Sequence, residues 1–442
     1  MADGRAAHFV HDEPVLIRGG TVVDQTGSRR ADVLVRDGLV AAVGDAGGPG
    51  AQAGSPARVL DAGGCLVGPG LVDLHAHLRE PGREEAETVE TGARAAALGG
   101  YTAVVAMPNT EPAVDSAAVA RHVLGLGAGS TCDVRVAGAI TAGREGRRLA
   151  PLGEMAALGV RLFTDDGRGV QDGRLMRRAM EYASGLGVVL AQHCEDEALA
   201  AGGHMHEGEW SSRLGIPGSP AEAEEVMAAR DVALARLTGA RLHLLHLSTA
   251  VSVELVRAAK AAGIGVTAEV CPHHFTLTDA DVAGYDPVFK VSPPLRTAAD
   301  VEAVKEGLRS GAMDAVATDH APHPQEAKEV PFAEAPPGMV GLETAMALAL
   351  TELDLPVERV LALMSWQPAR IAGMAADHGG PVAEGRPANL CVVDPGERWV
   401  VEPGRSASRS RNNPYAGRKL TGRVRHTVLR GEPVVVDGEA QR

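Results

Sequence analysis

Aromatic residues make up only 3% of the 442 positions, and no apolar run approaches the ~18 residues that cross a bilayer as a helix. A membrane-spanning helix is therefore not expected. Cysteine is scarce too: Cys65, Cys132, Cys194, Cys271 and Cys391 are odd in number, scattered, and form no CxxC pair. That pattern argues against a disulfide framework and points to reduced thiols in a cytoplasmic protein. Basic residues are outnumbered, 43 Lys and Arg against 57 Asp and Glu, giving a formal charge of −14. Nucleic acid and anionic membranes are not expected partners, although a few local arginines can still bind a small anion. The opening "MADGRAAHFVHDEPV" has no basic segment followed by an apolar one, so no secretory leader is expected.

What is present suffices for one large core and a smaller one, with 45% of residues apolar. Both chain ends, "VLIRGGTVVDQTGSRRADVLVRDGLVAAVG" and "ANLCVVDPGERWVV" with "VRHTVLRGEPVVVDG", alternate short β-branched runs with Gly and Asp turns. They predict a small β-sandwich domain built from residues 1–66 and 376–442. Between them, residues 67–375 carry eight short apolar runs, at 70–77, 102–110, 134–141, 160–166, 188–196, 241–249, 265–274 and 314–323. Most gaps hold a helical pattern that ends in Gly, as in "REEAETVETGARAAALGG" and "EAEEVMAARDVALARLTG". Eight such alternations predict an α/β fold, a TIM (β/α)8 barrel; no GxGxxG turn supports a doubly wound sheet. Longer gaps follow the fifth, seventh and eighth runs, and the last of them, 324–340, is a candidate lid.

A parallel strand buried on both faces should read as unbroken hydrophobics. These runs do so until their last residues, which turn polar: His75 and His77, Asn109, Asp165 and Asp166, His193, His246, then Asp319 with His323. In a barrel all eight ends converge on one mouth. A lone histidine there is ordinarily a hydrogen-bonded structural residue, and a lone Asp a helix N-cap. Four imidazoles and two carboxylates in one cavity demand more, because only a cation relieves their desolvation and repulsion. The donors suit Zn²⁺, with Mn²⁺, Co²⁺ and Fe²⁺ as alternatives, and their number suits two ions rather than one. The expected division is His75, His77 and Asp319 on one ion, His193 and His246 on the other, with Asp165 or Asp166 bridging. His204 and His206 are expected at a surface or rim. "CPHH" (271–274) is expected to be structural, because an extended strand turns at most one of these neighbours to the mouth. His320 should point away from Asp319.

The motifs "PGLVDLHAHLREPG", "AMPNTEP", "FTDDG", "AQHCED", "HEGEW", "LHLST", "AEVCPHHFTLTD", "PPLR" and "ATDHAPH" occur in order. Together they resemble the bacterial dihydroorotases of the amidohydrolase superfamily. The resemblance implies a metal-dependent barrel with a composite β domain, and reversible closure of N-carbamoyl-L-aspartate to L-dihydroorotate in pyrimidine synthesis. It selects Asp166 as the bridge, so that the metal ligands are His75, His77, Asp166, His193, His246 and Asp319, holding zinc, two ions per subunit. It makes Asp319 the catalytic acid and base that works with a metal-activated water. Substrate contacts fall on His77, Arg79, Asn109, Ser292, His323, Pro337 and Gly338. Two departures touch this set: Ser292 stands where many such enzymes have Asn, and Pro337 where an aromatic commonly precedes the glycine. A homo-oligomer, a dimer, is implied, with aspartate transcarbamoylase as a further partner. The rival readings are a dihydropyrimidinase, hydantoinase or allantoinase, and a non-catalytic subunit that scaffolds aspartate transcarbamoylase. The first group uses a carboxylated lysine on the fourth strand, where this chain has none; the second should lose ligands.

Overall fold

The computed structural model describes residues 13–45, 47–48 and 57–442. Residues 1–12, on which the leader expectation mainly rests, lie outside the described residues.

Each of the eight apolar runs overlaps a strand. They are β1 (Leu71–Ala76), β2 (Tyr101–Ala106), β3 (Asp133–Val136), β4 (Leu162–Phe163), β5 (Val189–Gln192), β6 (Arg241–Leu244), β7 (Val266–Val270) and β8 (Ala315–Val316). Every neighbouring pair within β1–β3 and within β4–β8 is parallel. Bridges between Gly138 and Phe163 and between Ala76 and His320 close the cylinder. The second closure uses the His77 N–H, which donates to His320 O at 2.8 Å. Asp73 on β1 strengthens it by accepting the Thr318 N–H at 2.9 Å and the Thr318 hydroxyl. This pair ties the strand that carries His75 and His77 to the segment that leads into Asp319.

Helices fill the connections and stop where their sequences say. Glu222–Thr238 ends at Gly239 with φ 70°, and Ala298–Ser310 starts on a Thr297 cap and ends at Gly311 with φ 79°. A left-handed C-cap is strained for residues other than glycine. The first connection departs from its periodicity. The helix spans only Val89–Leu98, because Thr88 caps it and the preceding Glu87 turns inward to His320.

The two chain ends share a seven-stranded sheet in which Leu66–Pro69 pairs antiparallel with Leu390–Val400. A four-stranded sheet of N-terminal strands faces it, and Ile17, Val22, Val33, Val67, Val392 and Val428 form the core between them. The two sheets form the β-sandwich that flanks the barrel. The C-terminal part also reaches the barrel mouth. Ser408 and the Arg409 N–H bind Glu87, and Asn412 binds the loops that follow β8.

Among the described residues, no helix is long and apolar enough to cross a membrane. All five cysteines are buried and unpaired.

Candidate active site and metal centre

The polar strand ends meet in a cavity of about 450 Å³ at the C-terminal mouth of the barrel. Asp166 is its centre. Its carboxylate lies 3.4 Å from His75 Nε2, 3.5 Å from His77 Nε2, 3.5 Å from His193 Nδ1 and 3.6 Å from His246 Nε2. Asp319 Oδ1 lies 3.0 Å from His77 Nε2 and 3.5 Å from His75 Nε2. Two donor triads result, His75–His77–Asp166 and Asp166–His193–His246, and they share one carboxylate. Asp165 is occupied otherwise: it accepts from the backbone of Ile140 and Thr141 and from the Thr141 hydroxyl.

The donors fit divalent ions. His75 Nε2 and Asp166 Oδ1 are buried without a hydrogen-bond partner. His193 Nδ1 and His246 Nε2 approach to 2.9 Å, a distance two lone pairs tolerate only with a proton or cation between them. Burial opposes charge on His75, yet Asp166 and Asp319 outweigh it and hold its pKa well above the ordinary value. Burial likewise pushes Asp166 and Asp319 up, and the facing imidazoles overcome it and hold both below the carboxylate range. The cluster therefore attracts positive charge, and neutral imidazole with carboxylate oxygen is a donor set for Zn²⁺.

Three residues of the site have strained backbones. His246 (φ 33°), Asp319 (φ 44°) and Arg79 (φ 62°) take left-handed conformations that cost a non-glycine residue about 1–3 kcal/mol.

The other expected site residues line the same cavity. The Asn109 carbonyl oxygen lies 2.9 Å from His77 Nδ1, leaving its amide NH₂ available. Arg79 is buried and donates through Nε to Pro322 O at 3.1 Å. Burial and Arg83 lower its pKa to about 10, so it stays charged at neutral pH. His323 lies beside it, brought down to about 3 by burial and by Arg79, and donates Nε2–H to Pro337 O at 2.8 Å. Ser292 also lines the cavity, with its hydroxyl donated to Glu195 at 2.9 Å. Gly338 has φ 140°, and a Cβ there would lie 2.8 Å from both His323 Nε2 and Ala321 Cβ.

The segment expected as a lid carries Lys328, whose ammonium donates to the carbonyls of Pro287, Lys290 and Pro336. Lys290, on the facing wall, reaches back to Phe332 O and Ala333 O.

The histidines set aside in the sequence divide differently. His204 is at the cavity rim, 3.4 Å from the Lys290 ammonium. His206 is buried against Arg296, on a short strand paired with Gly218–Ser219 rather than in an open loop. His320 turns away from the cavity and binds Glu87 at 3.2 Å. The "CPHH" segment is not the extended strand expected of it: Pro272–Phe275 is a 3₁₀ turn. Donor atoms of Cys271, His273 and His274 consequently lie within 4.8 Å of one another. Burial lowers the His273 pKa to about 4, and His274 Nε2 is bonded to Pro293 O.

Sequence reasoning missed three residues that hold this site. Glu269 lies behind His75 and His243 behind Glu269, at 2.9 and 3.0 Å. Burial opposes ionisation of Glu269, but the two imidazoles prevail and its pKa falls to about 2. Asn412 donates to Ala321 O and Gly338 O and accepts from the His323 N–H. A glutamate inside the five-residue buried strand "VTAEV" was a readable signal; nothing local marks Asn412.

Known proteins resemble this chain over nearly its full length. A family described as Dihydro-orotase-like matches residues 64–252. The chain is 52% identical over 431 residues to a dihydroorotase of Streptomyces coelicolor, covering 96% of this chain and 99% of that protein. It is 50% identical over 430 residues to a dihydroorotase of Pelotomaculum thermopropionicum, with the same coverage. Solved structures of similar fold include the L-hydantoinase (dihydropyrimidinase) from Arthrobacter aurescens, with TM-score 0.85, 26% identity and 97% of each chain covered. The dihydropyrimidinase from Brevibacillus agri follows with TM-score 0.83 at 24% identity, over 97% of this chain and 96% of that one. With near-full-length relatives at this identity and the matching family description, the chain belongs to the dihydroorotase family.

Proposed function

We propose that the chain is a cytoplasmic dihydroorotase, closing N-carbamoyl-L-aspartate to L-dihydroorotate and water and reopening the ring, with two zinc ions per subunit. The observation that carries this reading is the pair of donor triads sharing Asp166, with the buried Arg79 and the exposed Arg83 lining the same cavity. His75, His77 and Asp319 would hold one ion, His193 and His246 the other, and Asp166 both. When bound, such ions polarise the ring carbonyl and acidify a water at neutral pH.

The chain's own residues supply the rest. In hydrolysis Asp319 takes the proton of the attacking water and delivers it to the ring nitrogen as the C–N bond breaks. In ring closure it takes the proton from the ureido nitrogen, which attacks the side-chain carboxylate carbon, and returns it to the carboxylate oxygen that departs as the C–O bond breaks, a solvent proton completing the water. Arg79 presents a charged fork to the remaining substrate carboxylate, with the Asn109 amide and the His323 ring beside it. Gly338, Pro337 and Ser292 complete the wall. The Ser292 hydroxyl, already given to Glu195, offers only its lone pairs to substrate unless it turns.

The segment just after β4 reads Thr-Asp-Asp, with no lysine for a carbamate bridge, which separates this site from a hydantoinase pattern. Turnover of dihydroorotate, hydantoin and allantoin by the zinc-loaded protein tests the reading. Dihydroorotate alone should be opened at an appreciable rate, and preference for hydantoin or allantoin refutes it. The proposal extends to a homodimer working beside aspartate transcarbamoylase. Sedimentation with and without that enzyme, paired with turnover, tests the extension and also the scaffold-only alternative.

A further inference from the structure

Strand β7 reads Val-Thr-Ala-Glu-Val, and its Glu269 is fully buried, as is His243 on neighbouring β6. A carboxylate at such a place is tolerated only when hydrogen bonds replace its water. Its two oxygens are used separately. Oε1 lies 2.9 Å from His75 Nδ1, and Oε2 lies 3.0 Å from His243 Nε2. A carboxylate only accepts, so both facing ring nitrogens carry protons. The far nitrogen of His243 lies 2.8 Å from the Thr267 hydroxyl, which is nearer than that hydroxyl's other acceptor, Leu242 O, at 3.4 Å. The order of protons is therefore set from Thr267 through His243 and Glu269 to His75. At its end His75 Nε2 is bare, buried without a partner and turned to Asp166 and Asp319.

We propose that Glu269 and His243 are positioning residues of the metal centre, locking His75 in its Nδ1–H tautomer and making the ion it serves the tighter of the two. The proposal rests on the reading of His75 as a metal ligand. A carboxylate behind a ligating imidazole raises its basicity and fixes its ring. His77 has a weaker version of the same support, the neutral Asn109 oxygen. On the other side, His246 Nδ1 has no partner at all. The two donor triads are thus unequally backed although their ligands look alike. Glu269 also matters for charge: two divalent ions bring four positive charges, Asp166 and Asp319 return two, and Glu269 supplies a third through His75.

The test is zinc titration of the full-length, metal-stripped protein against a chromophoric chelator, with thermal unfolding of the metal-free forms as a folding control. Wild type should bind two equivalents of unequal affinity. Glu269→Gln keeps the shape but places an amide NH₂ against one imidazole. It should weaken the tighter equivalent by about 10–100-fold and leave the weaker one within about threefold. His243→Gln, which breaks only the outer link, should weaken the same equivalent by about 3–10-fold. If Glu269→Gln does not fold, His243→Gln decides by the same criterion. Variants that fold and keep both equivalents at wild-type affinity overturn the proposal while leaving the metal centre standing. A wild type that binds no zinc, or an Asp166→Ala variant that keeps both equivalents, overturns the metal-centre reading itself and the proposal with it.

Discussion

Replacing Asn412 by Ala should loosen the substrate side of the cavity without touching a metal donor. The Asn412 side chain is buried; its NH₂ donates to Ala321 O at 2.9 Å and Gly338 O at 3.1 Å, and its oxygen accepts the His323 N–H at 3.2 Å. One side chain thereby joins the segment after β8 to the loop that carries Gly338. Three buried hydrogen bonds at about 1 kcal/mol each put the loss near 3 kcal/mol, which lowers the Tm of a chain this long by about 3 °C. His323 and Gly338 lose their common anchor, so KM for dihydroorotate should rise about tenfold, equivalent to about 1.4 kcal/mol of binding. The value of kcat should fall less, because Asp319 is held from the other side by the Asp73–Thr318 contact. Thermal unfolding and steady-state hydrolysis on the zinc-loaded variant read both effects. An unchanged Tm together with an unchanged KM would refute the anchoring argument.

Asp319→Asn should keep the fold, by circular dichroism and Tm, while kcat falls by about 100- to 10,000-fold through loss of the proton acceptor; a rate near wild type refutes the assignment. Gly338→Ala forces a side chain into φ 140° backbone and against His323, at a cost of about 1–3 kcal/mol, and should raise KM several-fold with kcat little changed. Far from the site, burial pushes the Asp133 carboxyl up, but the His378 hydrogen bond and charge, with Arg430, bring it down to about 2. Because its folded pKa lies below the unfolded value of about 3.9, its stabilisation of about 2 kcal/mol is present above pH ~4 and fades as pH falls toward 2. Urea unfolding of wild type and Asp133→Asn should therefore differ by about 2 kcal/mol at pH 6 and about half as much at pH 3; a gap that stays constant contradicts this.

The barrel was legible because its signal is repeated: a buried parallel strand permits few polar residues, so polar groups gather at the ends facing the mouth. Five donors read in this way gather around a sixth, Asp166. Spacing could not choose between Asp165 and Asp166, which are adjacent and both buried; the difference lies in the Thr141 contacts that occupy Asp165. Periodicity also overran the start of the first helix, since Glu87 looks helical but is drawn inward by His320 and Ser408. The same limit applied at 271–274, where a proline begins a 3₁₀ turn that alternation cannot foresee. Asn412 was invisible because its partners, Ala321, His323 and Gly338, lie more than 70 positions away.

The most direct test of the shared-carboxylate centre is anomalous diffraction at the zinc edge from crystals of the zinc-loaded protein. Two peaks should flank Asp166, one against His75, His77 and Asp319 and the other against His193 and His246. A cavity without peaks in fully active protein, or zinc seated only on Cys271, His273 and His274, would contradict the account.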